Sequence, residues 1–155
     1  MRMSLKEELG LKRGFNVIEH EAVLNIYFTA SKLKKRADEF FRKFNVTDVQ
    51  FNVMMLLHYQ SEDGGGLSQA QLSKMMLVNR ANITSLIDRM EKAELVTRNS
   101  SDDRRYNIIK MTGKGKKLFG KVEPLYGKLV VEKMSAIKKG EQKQLIAILE
   151  KVRSY

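Results

Sequence analysis

Apolar residues recur with a helical period along most of the chain, and the clearest repeat lies between residues 80 and 92. Ile83, Leu86, Ile87 and Met90 fall at i, i+3, i+4 and i+7, so they share one face of a helix. The opposite face carries small, hydrogen-bonding or charged residues: Ala81, Asn82, Ser85, Asp88, Arg89 and Lys92. The pattern predicts a helix that packs into a core on one side and presents a thin polar surface on the other.

A shorter helix is predicted just before it. Ser68 is followed three residues later by Gln71, which is the spacing of a capping box at a helix start. The residues expected to face inward are Leu72, Met75 and Met76. Two residues then separate this helix from Asn79, the predicted N-cap of the next helix, which Arg80 opens. Two helices joined by so short a turn are typical of a helix-turn-helix.

A pair of strands is predicted directly after the second helix. Residues 95–99 and 106–111 are rich in Val, Thr, Tyr and Ile, which favour strands. The polar loop between them ends in Arg104 and Arg105. Taken alone, such a loop is more often a solvated surface hairpin. After a polar-faced helix it indicates the wing of a winged helix-turn-helix, beside which Leu67 is expected to add a short strand.

Further helices are predicted on both sides of this region. The apolar period indicates helices over residues 17–44, 48–59, 113–137 and 141–152. Thr112 is expected to cap the third of these, and Pro124 to kink it or split it in two. Gly140 is expected to mark the break before the last helix. Residues before Phe15 show no clear period and are expected to form a mobile arm.

The terminal helices carry more apolar positions than the central region needs for its own folding. In the first of them these positions are Ile18, Val23, Ile26, Tyr27, Ala30, Leu33, Ala37, Phe40 and Phe44. In the last two they are Leu118, Val122, Leu125, Leu129, Val130, Leu145, Ile148, Leu149 and Val152. These stripes must pack either on a second copy of the chain or as a helical cap within one copy.

Composition narrows the class of partner. The net charge of +11 implies an anionic partner, with nucleic acid first and an anionic membrane second. Residues 68–117 hold eleven basic and five acidic residues, so an excess of six positive charges lies in this region. Aromatic residues are sparse there, whereas an amphipathic membrane helix would alternate them with lysines. We therefore expect double-stranded DNA as the partner and no membrane.

Few residues are available for catalysis or metal binding. The chain has no cysteine and two histidines, His20 and His58, so thiol chemistry is excluded and a zinc site has almost no support. We expect His58 to be a partly buried packing residue. The N-terminus lacks the apolar core of a signal peptide. The sequence predicts a cytoplasmic protein that is not an enzyme and has no cofactor or catalytic metal.

Several motifs in the central region occur in a familiar order. They are Leu72, then Val-Asn-Arg-Ala-Asn-Ile-Thr at 78–84, Leu-Ile-Asp-Arg-Met-Glu at 86–91, Leu95-Val96 with Arg98, Asp-Arg-Arg at 103–105 and Met-Thr-Gly-Lys-Gly at 111–115. The segment resembles the DNA-binding region of the MarR (multiple antibiotic resistance regulator) family. One position departs from the family, which has Gly where this chain has Glu94. Because a left-handed cap is strained for Glu, we expect this helix to end by another geometry.

The resemblance implies an architecture and a function. The fold expected is mainly α with a small β-hairpin wing, a winged helix-turn-helix core flanked by N- and C-terminal dimerisation helices. Its parts would be an arm and dimerisation helix (1–46), the DNA-binding region (47–112) and C-terminal dimerisation helices (113–155), in one intertwined domain. The function implied is that of a bacterial or archaeal transcriptional regulator that binds a pseudo-palindromic operator as a homodimer. It would act as a repressor relieved by a small aromatic or anionic effector.

The predicted DNA-binding residues lie on the second helix and on the wing. They are Arg80, Asn82, Thr84, Ser85, Arg89, Arg104 and Arg105. Asp88 would repel phosphate unless it is paired, and we hypothesise a pair with Arg104 or Arg105, the alternative being a solvated carboxylate. The other function that remains open is a winged-helix protein-binding or architectural module without a specific operator, which would have no need of this polar face.

Overall fold

The computed structural model describes residues 3–76, 80–100 and 107–154, apart from the side chains at 63, 80 and 81. Its elements in chain order are α1 (Leu5–Glu8), α2 (Ile18–Arg42), α3 (Asp48–Tyr59), a 3-10 turn (Glu62–Gly64), β1 (Leu67–Ser68), α4 (Gln69–Met75), α5 (Arg80–Lys92), β2 (Val96–Ser100), β3 (Asn107–Met111), α6 (Gly113–Met134) and α7 (Lys139–Arg153). The mainly helical fold with a small sheet agrees with the predicted fold class. Within these residues, no helix combines the length and the apolar composition that a bilayer span requires.

The chain divides into two units, of which the first is Met1–Asp48. The prediction of a mobile arm was wrong for the start of this unit, because α1 forms there. Ser4 and Glu7 make a complete capping box, in which the Ser4 amide donates to the Glu7 carboxylate at 2.7 Å. Leu5 is buried, and Lys32 of α2 forms an ion pair with Glu8. Sequence periodicity missed α1 because four residues are barely one helical turn.

Helix α2 has nearly the predicted length, but its apolar stripe is uncovered. Ile18 is 77% exposed and Tyr27 is 68% exposed, whereas Phe41, which the predicted stripe omitted, is buried. The helix leads into Asn45, which has a positive φ of 55°. Asn tolerates this left-handed conformation better than most residues, so the end of the helix is reached at little cost.

The second unit, Val49–Tyr155, has its core around α5. The predicted inner face of α5 is confirmed, since Ile83, Ile87 and Met90 are fully buried and Leu86 nearly so. The residues that complete this core come from α3, α4, the sheet, the turn before β2 and α6: Phe51, Val53, Met54, Leu57, Leu67, Leu72, Leu95, Val96, Ile109, Phe119 and Val122. The prediction for Met75 was wrong, because its side chain is 44% exposed at the end of α4.

The sheet has three antiparallel strands in the order β1-β3-β2. Leu67 pairs with Ile109 as the predicted short strand, and Ile109 pairs on its other side with Arg98 of β2. Ile109 and Leu67 are buried against the core. The capping box of Ser68 and Gln71 is also confirmed, with amide-to-side-chain distances of 2.8 and 3.2 Å, so β1 turns directly into α4.

The C-terminal helices differ from the prediction in two places. Helix α6 begins at its predicted cap, Thr112, and is not split at Pro124. Pro124 and Gly120 are both exposed, so the carbonyl that loses its amide partner can bond to water. The chain turn falls at residues 135–138, and Gly140 lies inside α7. Buried Phe119 was missed, whereas Leu125 and other predicted inward positions are exposed.

Candidate nucleic-acid interface

The outer face of α5 presents the predicted readout residues to solvent. Asn82, Thr84, Ser85 and Arg89 are all exposed, while the stripe behind them is buried. The Nε of Arg89 donates to the backbone carbonyl of Ser85 at 3.2 Å, which draws the guanidinium back along the helix. Polar side chains that protrude from a helix fixed by its other face can reach hydrogen-bonding edges in a groove.

The other predicted site residues are less fully described. Arg80 is the first residue of α5, as predicted, but its side chain lies outside the described residues. Arg104 and Arg105 also lie outside them. The strands that lead to the loop are described, and they pair from Val96 with Met111 through to Ser100 with Asn107.

A guanidinium that we did not predict as a site residue joins β2 to α5. Arg98 donates to Asp88 at 2.5 Å and to Glu91 at 2.5 Å, and its backbone amide donates to Glu91 at 3.0 Å. We call these three residues the Arg98 clamp. Asp88 thus has an arginine partner in Arg98 of the strand, whereas the predicted partners, Arg104 and Arg105, lie outside the described residues, so that pairing stays a prediction.

The Arg98 clamp has an electrostatic consequence for the surface beside it. Asp88 is exposed on the same side of α5 as the readout residues, where a lone carboxylate would repel phosphate. Arg98 neutralises part of this charge with hydrogen bonds to both carboxylates, and such charge-assisted bonds are the strong ones. The arrangement therefore removes a repulsive charge and holds the hairpin against the helix.

Helix α5 ends in a left-handed residue, which corrects the expectation that Glu94 would impose another geometry. Glu94 has a φ of 59°. The Leu95 amide donates to the Met90 carbonyl and the Glu94 amide to the Glu91 carbonyl, both at 2.9 Å. This is the hydrogen-bond pattern of a Schellman motif, and the accompanying apolar contact positions, Met90 and Leu95, are both buried. Burial of these two residues offsets the strain at Glu94.

The Glu94 side chain also has a partner. Lys114 of α6 lies 2.9 Å from its carboxylate, and this hydrogen bond lowers the pKa of Glu94 below its ordinary value. Both side chains are largely exposed, so the pair contributes little to stability. Its position nevertheless joins the end of α5 to the start of α6.

Comparison with known proteins decides the family. The model of the MarR family matches residues 46–106, which contain α3, α4, α5 and β2. The HTH-type transcriptional regulator FarR of Neisseria gonorrhoeae is 32% identical over 105 residues, 66% of each chain. The uncharacterised HTH-type transcriptional regulator YkoM of Bacillus subtilis is 25% identical over 146 residues, 91% of this chain and 92% of the relative. The chain belongs to the MarR family.

Solved structures of MarR-type regulators share the fold. The Staphylococcus aureus MepR–DNA complex has a TM-score of 0.75 at 22% identity and covers 83% of this chain and 91% of its own. The organohalide-sensing RdhR regulator in its 2,4-dichlorophenol-bound form has a TM-score of 0.79 at 20% identity and covers 92% of this chain and 86% of its own. The present MarR-family chain is thus a winged helix-turn-helix transcriptional regulator.

A second feature of this MarR-family chain is an aromatic cluster where α3 meets α6. Phe51 stacks on Phe119 with ring centroids 5.6 Å apart, and His58 lies 4.7 Å from the same ring. The Tyr59 hydroxyl donates to Glu123 at 3.2 Å, and desolvation together with this hydrogen bond raises the pKa of Tyr59. The expectation that His58 is partly buried was wrong, because its side chain is exposed despite the ring contact.

Proposed function

We propose that this MarR-family regulator binds a pseudo-palindromic DNA operator as a homodimer, in the cytoplasm, as a repressor that a small aromatic or anionic effector releases. The observation that carries the proposal is the outer face of α5. Its polar residues are exposed on a helix whose other face is buried, and the Arg98 clamp neutralises part of the carboxylate charge beside them.

The roles of the readout residues follow from their chemistry. Asn82, Ser85 and Arg89 lie at i, i+3 and i+7, on one side of α5. Asn pairs best with adenine and Arg with guanine, and each good bidentate contact discriminates by about 1–3 kcal/mol. Thr84 and Arg80 lie outside this group, in the first two turns of α5, and are assigned to DNA binding through their place near the N-terminal end of the readout helix. This set reads the major groove.

The wing arginines have a different role in the proposal. Arg105 enters the minor groove, where a narrow A·T-rich segment has strongly negative potential and a guanidinium is desolvated more easily than an ammonium. Arg104 is assigned to phosphate. The net charge of +11 adds a binding component that falls steeply with salt concentration.

The dimer in the proposal covers apolar surface that the single chain leaves open. Val131 of α6 is 66% exposed and Ile148 of α7 is 59% exposed, as are apolar side chains of α2 such as Ile18. Clusters of large apolar side chains exposed on one helix mark an interaction surface. A second copy is the occupant we propose, because a twofold pair of α5 helices can read two half-sites about one helical turn apart.

The effector in the proposal is supported by the aromatic cluster at α3 and α6. The exposed side chains of His58 and Tyr59 present ring faces and edges together with the Tyr59 hydroxyl, and they lie against the buried ring of Phe119. Such a mixture suits a flat aromatic ligand with a polar or anionic group. A solved neighbour of the same fold is described with 2,4-dichlorophenol bound.

The alternative is a protein-binding or architectural winged helix without a specific operator. Selection from a random duplex pool separates the two functions. We expect an enriched, twofold-symmetric site whose affinity falls steeply with salt. No enrichment, or a site without twofold symmetry, would reject the operator and favour the alternative.

Single substitutions distinguish the role of the readout helix from that of the wing. Asn82→Ala should blur the preference at one or two base positions in each half-site, because it removes one base contact. Arg105→Ala should weaken binding to every site, most at A·T-rich flanks. Circular dichroism controls for folding. Unchanged affinity of a folded Arg105→Ala protein would remove the wing from the proposed mechanism.

A further inference from the structure

The start of α6 lies unusually close to the end of α5. If residue 115 were alanine, its Cβ would lie 2.1 Å from the Leu95 carbonyl oxygen, which is far inside contact distance. The same carbonyl accepts from the Thr112 amide at 3.1 Å. Gly115 is buried, so the absence of a side chain there lets the helix rest directly on the backbone that follows α5.

Thr112 holds this approach with one hydroxyl. Its Oγ1 donates to the Glu94 carbonyl at 2.6 Å and accepts from the Gly115 amide at 3.0 Å. The side chain therefore bonds the left-handed end of α5 and caps α6 at once. We call Glu94, Leu95, Thr112 and Gly115 the α5–α6 joint. It is made almost entirely of backbone groups, which cannot adjust as a flexible side chain does.

A small change in the direction of α6 at the α5–α6 joint becomes a larger displacement at the far end of the helix. Its buried positions are Gly115, Phe119 and Val122, whereas Leu125, Val130 and Val131 beyond them are exposed. A Cβ at residue 115 would need to move by about 1.3 Å to reach an ordinary van der Waals contact with the Leu95 carbonyl oxygen. With Val122 as a pivot about 10 Å away, the end of α6, about 18 Å further on, would swing by roughly 2 Å.

We propose that Gly115 is a positioning residue that sets the preferred spacing between the two half-sites of the operator. It does so by letting α6 lie on the Leu95 carbonyl, which fixes the angle between the readout helix and the helix that leads to the second copy. The inference rests on the proposed function, since it requires a dimer and a two-part operator. Gly115 itself makes no contact with DNA in this proposal.

The test uses duplexes that carry two copies of the selected half-site with spacers of varied length. Gly115→Ala should move the spacing optimum or weaken binding at the wild-type spacing roughly tenfold, the size of one mismatched base pair. Affinity for a single half-site should stay within about twofold, because the face of α5 is unchanged. Gly120→Ala is the matched control, since a Cβ there meets nothing within 4 Å.

The outcomes separate this inference from the proposed function. A folded, dimeric Gly115→Ala protein with the wild-type spacing profile overturns the inference and leaves the operator in place. A monomeric wild-type protein overturns the proposed dimer and the inference with it, whereas a dimeric wild-type protein that is indifferent to spacing overturns the inference alone. If Gly115→Ala does not fold, Thr112→Val decides: a broadened spacing profile supports the joint, and an unchanged profile overturns it.

Discussion

Helices α5 and α7 have apolar stripes of the same period but opposite surroundings. In α5, Ile83, Ile87 and Met90 are fully buried. In α7, Leu145 is 41% exposed and Ile148 is 59% exposed. The helices are 13 and 15 residues long, so neither length nor amphipathic pattern accounts for the contrast.

The difference shows that a periodic stripe specifies a face to be covered and not the surface that covers it. The stripe of α5 packs inside a core to which α3, α4, α6 and the sheet contribute. The stripes of α2 and α7 are exposed in one copy of the chain, which corresponds to substantial unsatisfied hydrophobic free energy. One copy of the chain therefore covers the stripe of α5 and leaves those of α2 and α7 exposed.

The largest effect is expected where the stripe is already covered. Ile87→Ala should lower the free energy of unfolding by about 2–5 kcal/mol, because it leaves a cavity in a closed core. Urea denaturation followed by circular dichroism measures it. Ile148→Ala, the same truncation on α7, should show a loss that depends on protein concentration. Equal losses for both variants at every concentration would mean that one copy already covers α7.

A charge on the uncovered stripe should break the dimer. Ile148→Asp would place a carboxylate in an apolar interface, where an unpaired charge is strongly unfavourable. We expect sedimentation to shift toward the single-chain mass of 17.9 kDa, while circular dichroism shows the core intact. Lys143→Asp, on the opposite side of α7, is the matched control. A wild-type protein that already sediments at the single-chain mass contradicts the dimer.

The Arg98 clamp should affect DNA binding more than folding. Arg98→Met removes the described partner of Asp88 and Glu91 beside the readout face, so we expect roughly tenfold weaker binding from like-charge repulsion. Asp88→Asn should weaken binding by a smaller factor, since Glu91 still holds Arg98. Arg153→Met, on α7, controls for the change in net charge. A titration against the selected site measures the DNA affinity of both variants. Tighter binding by Asp88→Asn would mean that Asp88 acts only by repelling phosphate and not by holding Arg98.

The smallest effect is expected at the end of α5. Glu94→Gly should raise the melting temperature by about 2–4 °C, because glycine adopts the left-handed conformation without strain. Asn45→Gly should raise it less, since Asn tolerates that conformation. No increase at Glu94 would contradict the strain that its φ of 59° implies.

The rise in melting temperature expected for Glu94→Gly should depend on pH. The Lys114 hydrogen bond lowers the pKa of Glu94 from its ordinary 4.5. The contribution of the pair is therefore present above that value and is lost as the pH falls through the lowered one. The rise in melting temperature caused by Glu94→Gly should be largest in acid. In a Lys114→Met background this rise should no longer depend on pH. A gain that stays constant with pH in the wild-type background would show that the pair contributes nothing.

Local signals in the sequence determined much of the central fold. The period of Ile83, Leu86, Ile87 and Met90 predicted the buried face of α5, because side chains three and four apart share a face in any α-helix. Ser68 and Thr112 predicted two helix starts, since a capping hydroxyl acts within its own first turn. The exposed positions of Asn82, Ser85 and Arg89 follow from the same geometry.

Tertiary structure decided what depended on residues distant in the chain. Arg98 meets Asp88 and Glu91 because the end of α5 and the register of β2 bring them together, which the charges in the sequence alone could not predict. Glu94 adopts a left-handed conformation against its own preference, because Met90 and Leu95 are buried around it. Gly115 lies in a family motif, but the sequence gives no physical reason for a glycine at that position. The reason is the Leu95 carbonyl, which lies directly against it. In each case the deciding free energy comes from contacts between different elements, which a one-dimensional pattern does not contain.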